Sequence, residues 1–439
     1  MKPFRLATRL AGALLAASLA GPAAGAYELT IPALDYRIGP YALNGIPFAN
    51  GFQDYLTLLN QRDGGIEGVK INLVSCETAY NTTQGVECYE KTKNVGESGA
   101  LVFQPLSTGI TYQLIPKSAV DQIPIFSMGY GRTSATDGRI FPWVFNLPAT
   151  YWHQATVFIQ YIAEREGGMD QLRDKKIALV YHNSAYGKEP IRTLEVLAER
   201  LGYHLQLLPV NHPGQEQGAT WLQVRRARPD WVLLWGWGVM NQVAVKEAAS
   251  TRYPMDRFIG VWWSGSENDV LPAGKDANGY LSGAFHVAGD GFPVHDEIKK
   301  YVYDRGLGGG ERERIGEVLY NRGLVAAMWT AEAIRKAMQI HGTKEVRAPQ
   351  VVEEIFEIVG ELNRNEAMTF LLAEQNTRVA LRYASYGYIL ENGRVVMDGR
   401  ASALASNEDV KEFYLGLSSN GRRSFRDAKH YRRRKRWLA

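Results

Sequence analysis

Between residues 101 and 133 the chain repeats one pattern twice, an apolar run followed by a short polar turn. Residues 101–103 lead into Ser107-Thr108-Gly109. A helical stretch follows, and a second apolar run, 123–126, ends in Gly129-Tyr130-Gly131-Arg132-Thr133. Two successive strands joined by a helical crossover run parallel, so both turns fall at the same edge of one sheet. Open α/β sheets bind small molecules at that edge, beyond the carboxyl ends of the strands. The turns offer backbone N–H groups, two hydroxyls and the Arg132 guanidinium, a set suited to a small anionic group such as a carboxylate. Short glycine-containing turns are also common in ordinary βα loops, so the turns alone leave that reading open.

The same pattern extends in both directions. Residues 27–34 read as a strand, 39–41 as a turn, 48–61 as an amphipathic helix stopped at Asp63-Gly64-Gly65, 69–75 as a strand and 83–94 as a helix. Residues 141–148 read as a crossing segment. A second series follows: helix 151–165, strand 176–181, helix 190–201, strand 204–210, helix 218–226, strand 231–235, helix 241–250 and strand 258–262. Residues 283–288 return to the first lobe and 313–339 form a long helix. Repeated βα units predict an α/β fold of two doubly wound parallel-sheet lobes enclosing a cleft that closes by hinge motion. Aromatic residues gather at loop positions: Tyr41, Tyr130, Tyr186, Trp235, Trp237, Trp262 and Trp263. Rings after strands in both lobes are candidates for a ligand box, although any one of them is equally explained by packing under its loop.

The 439 residues suffice for two or three domains. Lys2, Arg5 and Arg9 precede an apolar run over 11–20, and Ala24-Gly25-Ala26 supplies small residues for cleavage. This reads as a secretory signal peptide over 1–26, with a soluble, exported mature chain. Export permits a disulfide between the two cysteines, Cys76 and Cys88, and two separate buried thiols are the alternative. The net charge of +4 conceals an asymmetry: the tail from 421 to 439 carries +8, leaving −4 on the rest. A mildly acidic body argues against a nucleic-acid partner. The tail, taken as 419–439, reads as a disordered basic end, although such a run can also bind nucleic acid or anionic lipid.

Residues 39–41, the helix ending at Asp63-Gly64-Gly65-Ile66, the two turns, Tyr186-Gly187 and the 262–267 loop together resemble the periplasmic substrate-binding proteins of branched-chain amino-acid ABC transporters. These have the type I binding-protein fold. The resemblance runs to about residue 350. It implies a first lobe of 27–147 and 283–350 and a second of 148–282. It implies partnership with membrane permease subunits, a monomeric state, a periplasmic location, no cofactor, no metal and no catalysis. It also implies that first-lobe hydroxyls and N–H groups hold a solute carboxylate, that Tyr186 contributes from the second lobe, and that an acidic residue near 262–267 meets a solute ammonium. Glu267 is the carboxylate at hand there. The expected ligand contacts are Tyr41, Ser107, Thr108, Gly129, Tyr130, Tyr186, Trp237 and Glu267, for an amino acid, an amide or an aromatic carboxylate.

After residue 350 the resemblance changes. Residues 351–418 are similar to the C-terminal third of the ATPase subunit of the same transporter class, with 371–376 like its switch segment and Gln375 in the usual place of histidine. Read from the residues, this is a helix, a strand, a helix and a hairpin over 387–397 around Asn392-Gly393. The chain contains no G-x-x-x-x-G-K-[ST] phosphate loop, so ATP hydrolysis is not expected. No G-x-S-x-G elbow or H-E-x-x-H pair suggests a hydrolase or a metal site. A solute receptor is the first reading. A non-functional or altered fusion of a binding protein with an ATPase fragment is the second.

Overall fold

The computed structural model describes residues 27–138, 140–353, 381, 384–391, 394–407 and 410. The expected signal peptide, the basic tail and the switch-like segment with Gln375 lie outside them.

The first sheet is parallel throughout. Strand β1 (Leu29–Asp35) is buried along its whole length and pairs with β2 (Ile71–Glu77). Burial on both faces explains why β1 reads as a continuous apolar run, whereas the half-exposed edge strand β2 alternates. On the other side of β1, residues 100–104 attach by isolated bridges, Thr30 to Ala100 and Ala33 to Gln104, and Phe103 bridges to Ile125. Strands β3 (Ile125–Met128) and β4 (Val144–Leu147) pair in parallel beyond that. The run at 101–103 is thus extended but makes bridges rather than a full strand, and part of the segment read as a crossing is strand β4. Helices α1 (Ala42–Arg62), α2 (Thr82–Thr92) and α3 (Thr108–Asp121) are the crossovers of this sheet. Cys76 at the end of β2 and Cys88 in α2 form a disulfide, with Cα atoms 5.7 Å apart.

The second sheet has five parallel strands. It opens after α4 (Tyr151–Glu166) with β5 (Lys176–His182), followed by the short α5 (Ala185–Lys188), α6 (Ile191–Leu201), β6 (His204–Val210), α7 (Gly218–Ala227) and β7 (Trp231–Trp235). Helix α8 (Val239–Ser250), β8 (Phe258–Gly260), α9 (Glu267–Val270) and β9 (Leu281–Ser282) complete it. The spatial order is β6-β5-β7-β8-β9. The central strand β7 is buried throughout.

The chain then returns to the first lobe through α10 (Pro293–Tyr301), α11 (Val318–His341) and α12 (Ala348–Glu353). Helix α11 lies against α1 at backbone contact. A Cβ on Gly51 would stand 2.0 Å from the Tyr320 carbonyl oxygen, and one on Gly323 would stand 1.9 Å from that of Phe48. Glycine at these two positions is what lets the helices approach. One buried apolar cluster runs from β1 and α1 through α4 and β7 to α11, so the two lobes share a core. Further on, β10 (Tyr386–Glu391) and β11 (Arg394–Arg400) pair as an antiparallel hairpin, followed by a short helix, Ala401–Ser406. Among the described residues no helix is long and apolar enough to cross a membrane.

Candidate functional site

The two turns of residues 101–133 meet at the carboxyl edge of the first sheet. Ser107 is the N-cap of α3, its hydroxyl accepting from the Ile110 N–H at 3.3 Å. The Gly131 N–H donates to Thr108 Oγ1 at 3.1 Å, and the Leu106 N–H donates to the Tyr130 hydroxyl at 2.9 Å. The positive end of the α3 dipole therefore faces outward from this edge, where anions are favoured.

Opposite stands the second lobe, and between them is a small cavity of about 20 Å³, partly open to solvent. Its first-lobe wall is Tyr36, Tyr80, Leu106, Ser107, Thr108 and Tyr130. Its second-lobe wall is Tyr151, Tyr186, Trp237 and Trp263. Five of the eight expected contacts are thus brought together: Ser107, Thr108, Tyr130, Tyr186 and Trp237. Tyr186 donates to the Gly236 carbonyl at 2.8 Å, which fixes its ring in the wall. Tyr36 Oη and Trp237 Nε1 are buried, and the indole N–H acts on the Tyr36 phenol without reaching full hydrogen-bond geometry. Burial holds the phenols of Tyr36, Tyr151 and Tyr186 well above their ordinary range, so they remain neutral donors. Among the described residues no carboxylate lines this cavity.

Three expected contacts are placed elsewhere, each for a visible reason. Glu267 turns to the start of α11, where both carboxylate oxygens accept from the Val318 N–H at 3.2 and 3.1 Å. A helix N-terminus has unpaired N–H groups and a positive dipole end, and the carboxylate answers both. Gly129 spends its backbone internally: its N–H donates to the Leu147 carbonyl, and its own carbonyl accepts from Trp262 Nε1 and Trp263 Nε1, each at 2.7 Å. Tyr41 lies one ring behind the wall, its centroid 4.4 Å from that of Tyr80. Its hydroxyl meets His182 Nε2 at 2.8 Å and His212 Nδ1 at 2.9 Å, joining the lobes. Arg132 likewise stays away, stacked over Tyr112 and Phe141.

The acidic residue that the sequence reading missed is Asp269, which is buried in the seam between the lobes. It accepts from Asn44 of the first lobe at 3.1 Å, from Asn241 at 2.9 Å, and from the Ser266 hydroxyl and N–H at 2.7 and 2.8 Å. Burial raises its pKa. With these partners its oxygens are committed to the seam rather than to the cavity. Glu189 forms a similar seam on the other side, accepting from the Tyr112 hydroxyl and, at 3.0 Å, from the Thr133 N–H. Tyr36, Tyr80 and Tyr151 were missed although a signal existed. Tyr36 directly follows β1, Tyr80 follows β2 within three residues, and Tyr151 opens α4.

Comparison with known proteins agrees with this fold. A family model described as periplasmic binding protein matches residues 28–360. A solved chain described as an ABC transporter permease, from the Pseudomonas fluorescens group, is 42% identical with a TM-score of 0.68, covering 74% of this chain and 79% of that one. The Leu/Ile/Val-binding protein homolog 7 of Brucella suis is 24% identical over 378 residues, 84% of this chain and 91% of that protein. A shorter match, 46% identical over 69 residues, is to the high-affinity branched-chain amino acid transport ATP-binding protein BraG of Pseudomonas aeruginosa. It covers 16% of this chain, which spans only 29% of that protein's length.

Proposed function

Since the chain belongs to the periplasmic binding protein family, we propose that it is the exported solute receptor of an ABC importer. It captures a small amino acid, amide or aromatic carboxylate by closing two lobes around it, and releases it unaltered to membrane permease subunits. The receptor works as a monomer in the periplasm. The observation that carries this reading is the cavity whose wall comes from both lobes and combines the hydroxyls at the α3 N-terminus with a set of aromatic rings. Polar groups and apolar rings that converge on one cleft support a solute that has both. Hydroxyls and N–H groups at the α3 N-terminus, Ser107 and Thr108 among them, receive its polar end, and the rings clasp its apolar part.

The domain reading follows the sheets: first lobe from 27–147 with 283–350, second lobe from 148–282. The ATPase-like stretch from 351 supports a second reading, a non-functional or altered fusion of a binding protein with an ATPase fragment. The two readings are separated by a thermal-shift screen of the purified full chain against amino acids, amides and aromatic acids. A receptor gains melting temperature with the solute it binds, by mass action. A fusion product with damaged lobes responds to none.

A further inference from the structure

At the junction of the lobes one guanidinium is wholly enclosed. Arg322, in α11, is fully buried. Its planar group lies 4.5 Å from the centre of the Trp263 ring and 4.6 Å from that of Phe285. Nη1 donates to the Trp262 carbonyl, and Nε donates to His286 Nε2 at 3.0 Å. Burial and the guanidinium push His286 down to about 4, so it accepts as a neutral ring. Nη2 has no partner among the described residues, and no carboxylate among them is paired with the group. Asp269, whose charge bears on it from a distance, is engaged by Asn44, Asn241 and Ser266. Burial lowers Arg322 to about 9, which still leaves it charged at neutral pH.

A buried cation without a counter-ion is costly, and an anion arriving nearby offsets that cost. Trp263 is the partition: Arg322 stacks against it, and the same residue lines the cavity. Inside a protein a charge acts beyond contact distance because little water screens it. Across the cavity stands the α3 N-terminus, and the indole N–H of Trp237, which lines the cavity, can only donate. Every one of these features favours negative charge, and no lining carboxylate would receive an ammonium.

We propose that the solute is a carboxylate carrying no ammonium group, and that Arg322 sets this preference from behind Trp263. The inference rests on the receptor reading and names its solute class. Arg322 is a positioning residue, since it acts through the indole rather than by touching the solute.

The test is calorimetric titration of the full chain with two matched series: 4-methylpentanoate, 4-methylpentanamide and leucine; phenylacetate, phenylacetamide and phenylglycine. Within each series only the charge pattern changes. On any skeleton that binds, the carboxylate binds at least tenfold more tightly than the amide and the amino acid. Arg322→Gln weakens the carboxylate at least tenfold and leaves the amide within about twofold, while Arg322→Lys keeps the carboxylate preference. A wild-type chain that takes amide or amino acid as tightly as the carboxylate overturns the proposal. So does an Arg322→Gln chain that loses both by the same factor, the mark of a purely structural arginine. If Arg322→Gln does not fold, the wild-type series decides alone. Silence from all six compounds overturns the receptor reading and this inference together, an outcome distinct from binding without charge preference.

Discussion

Single atoms carry most of the argument for the site. Trp237 Nε1 is an indole donor with only the Tyr36 phenol beside it, short of full hydrogen-bond geometry, in a wall where Tyr130 and Tyr186 are both satisfied. Trp237→Phe keeps an aromatic ring but removes the donor and part of the indole, so solute affinity should fall at least tenfold and the smaller buried ring should cost about 1–3 kcal/mol of unliganded stability. Titration calorimetry and thermal melting of the same preparation check both halves. His182 supplies a second prediction. Burial first, and the neighbouring His212 second, push it from 6.5 down to about 3. The folded chain therefore refuses a proton that the unfolded chain accepts between those values. Stability is fully present above about pH 6.5 and declines as the pH falls toward 3. The loss at pH 5 should reach about 2 kcal/mol. Asp35, raised to about 6 by burial, works in the opposite direction. The check is thus the difference in urea stability between pH 7 and pH 5 for wild type and for His182→Gln, the variant having the smaller drop.

At the scale of elements, the sequence was most readable where patterns are local. The βα alternation and the meeting of two polar turns at one sheet edge followed from spacing and turn chemistry. Helix α1 was less readable. It begins at Ala42 rather than near 48, because Gly45 and Pro47 look like helix breakers until the packing is known. Pro47 is tolerated inside it, and Gly51 is required by the Tyr320 backbone. Glu267 was misplaced for a related reason. Its carboxylate answers a helix start some fifty residues later in the chain, a contact that spacing cannot reveal. The aromatic wall was half legible: rings after strands were noticed where glycines flanked them and missed at Tyr36, Tyr80 and Tyr151. The α1–α11 contact makes its own prediction. Gly323→Ala gains helix propensity but drives a methyl group into the Phe48 carbonyl, so it should destabilise the chain by about 1–3 kcal/mol. Chemical denaturation measures this, and an unchanged midpoint would remove close backbone approach as the reason for that glycine.

Taken whole, the molecule is a closed clasp. Its lobes share an apolar core and are sewn by polar seams on either side of the cavity: Tyr41 with His182 and His212, Asn44 with Asp269, and Glu189 with Thr133. Seams outside the cavity stabilise closure without reading the solute. Tyr41→Phe should therefore weaken every solute that binds by one common factor, about three- to tenfold, through a smaller closed population. A factor that varied from solute to solute would instead put Tyr41 in contact with it. The central claim is that the cavity between the lobes is where a solute is held. It is tested most directly by titrating the full chain, and a Ser107→Ala/Trp237→Phe double variant, with whichever solute gives the largest thermal shift. The account predicts one solute per wild-type chain and at least a tenfold loss of affinity in the double variant. Equal affinity in the two chains, or no shift from any solute screened, would contradict it.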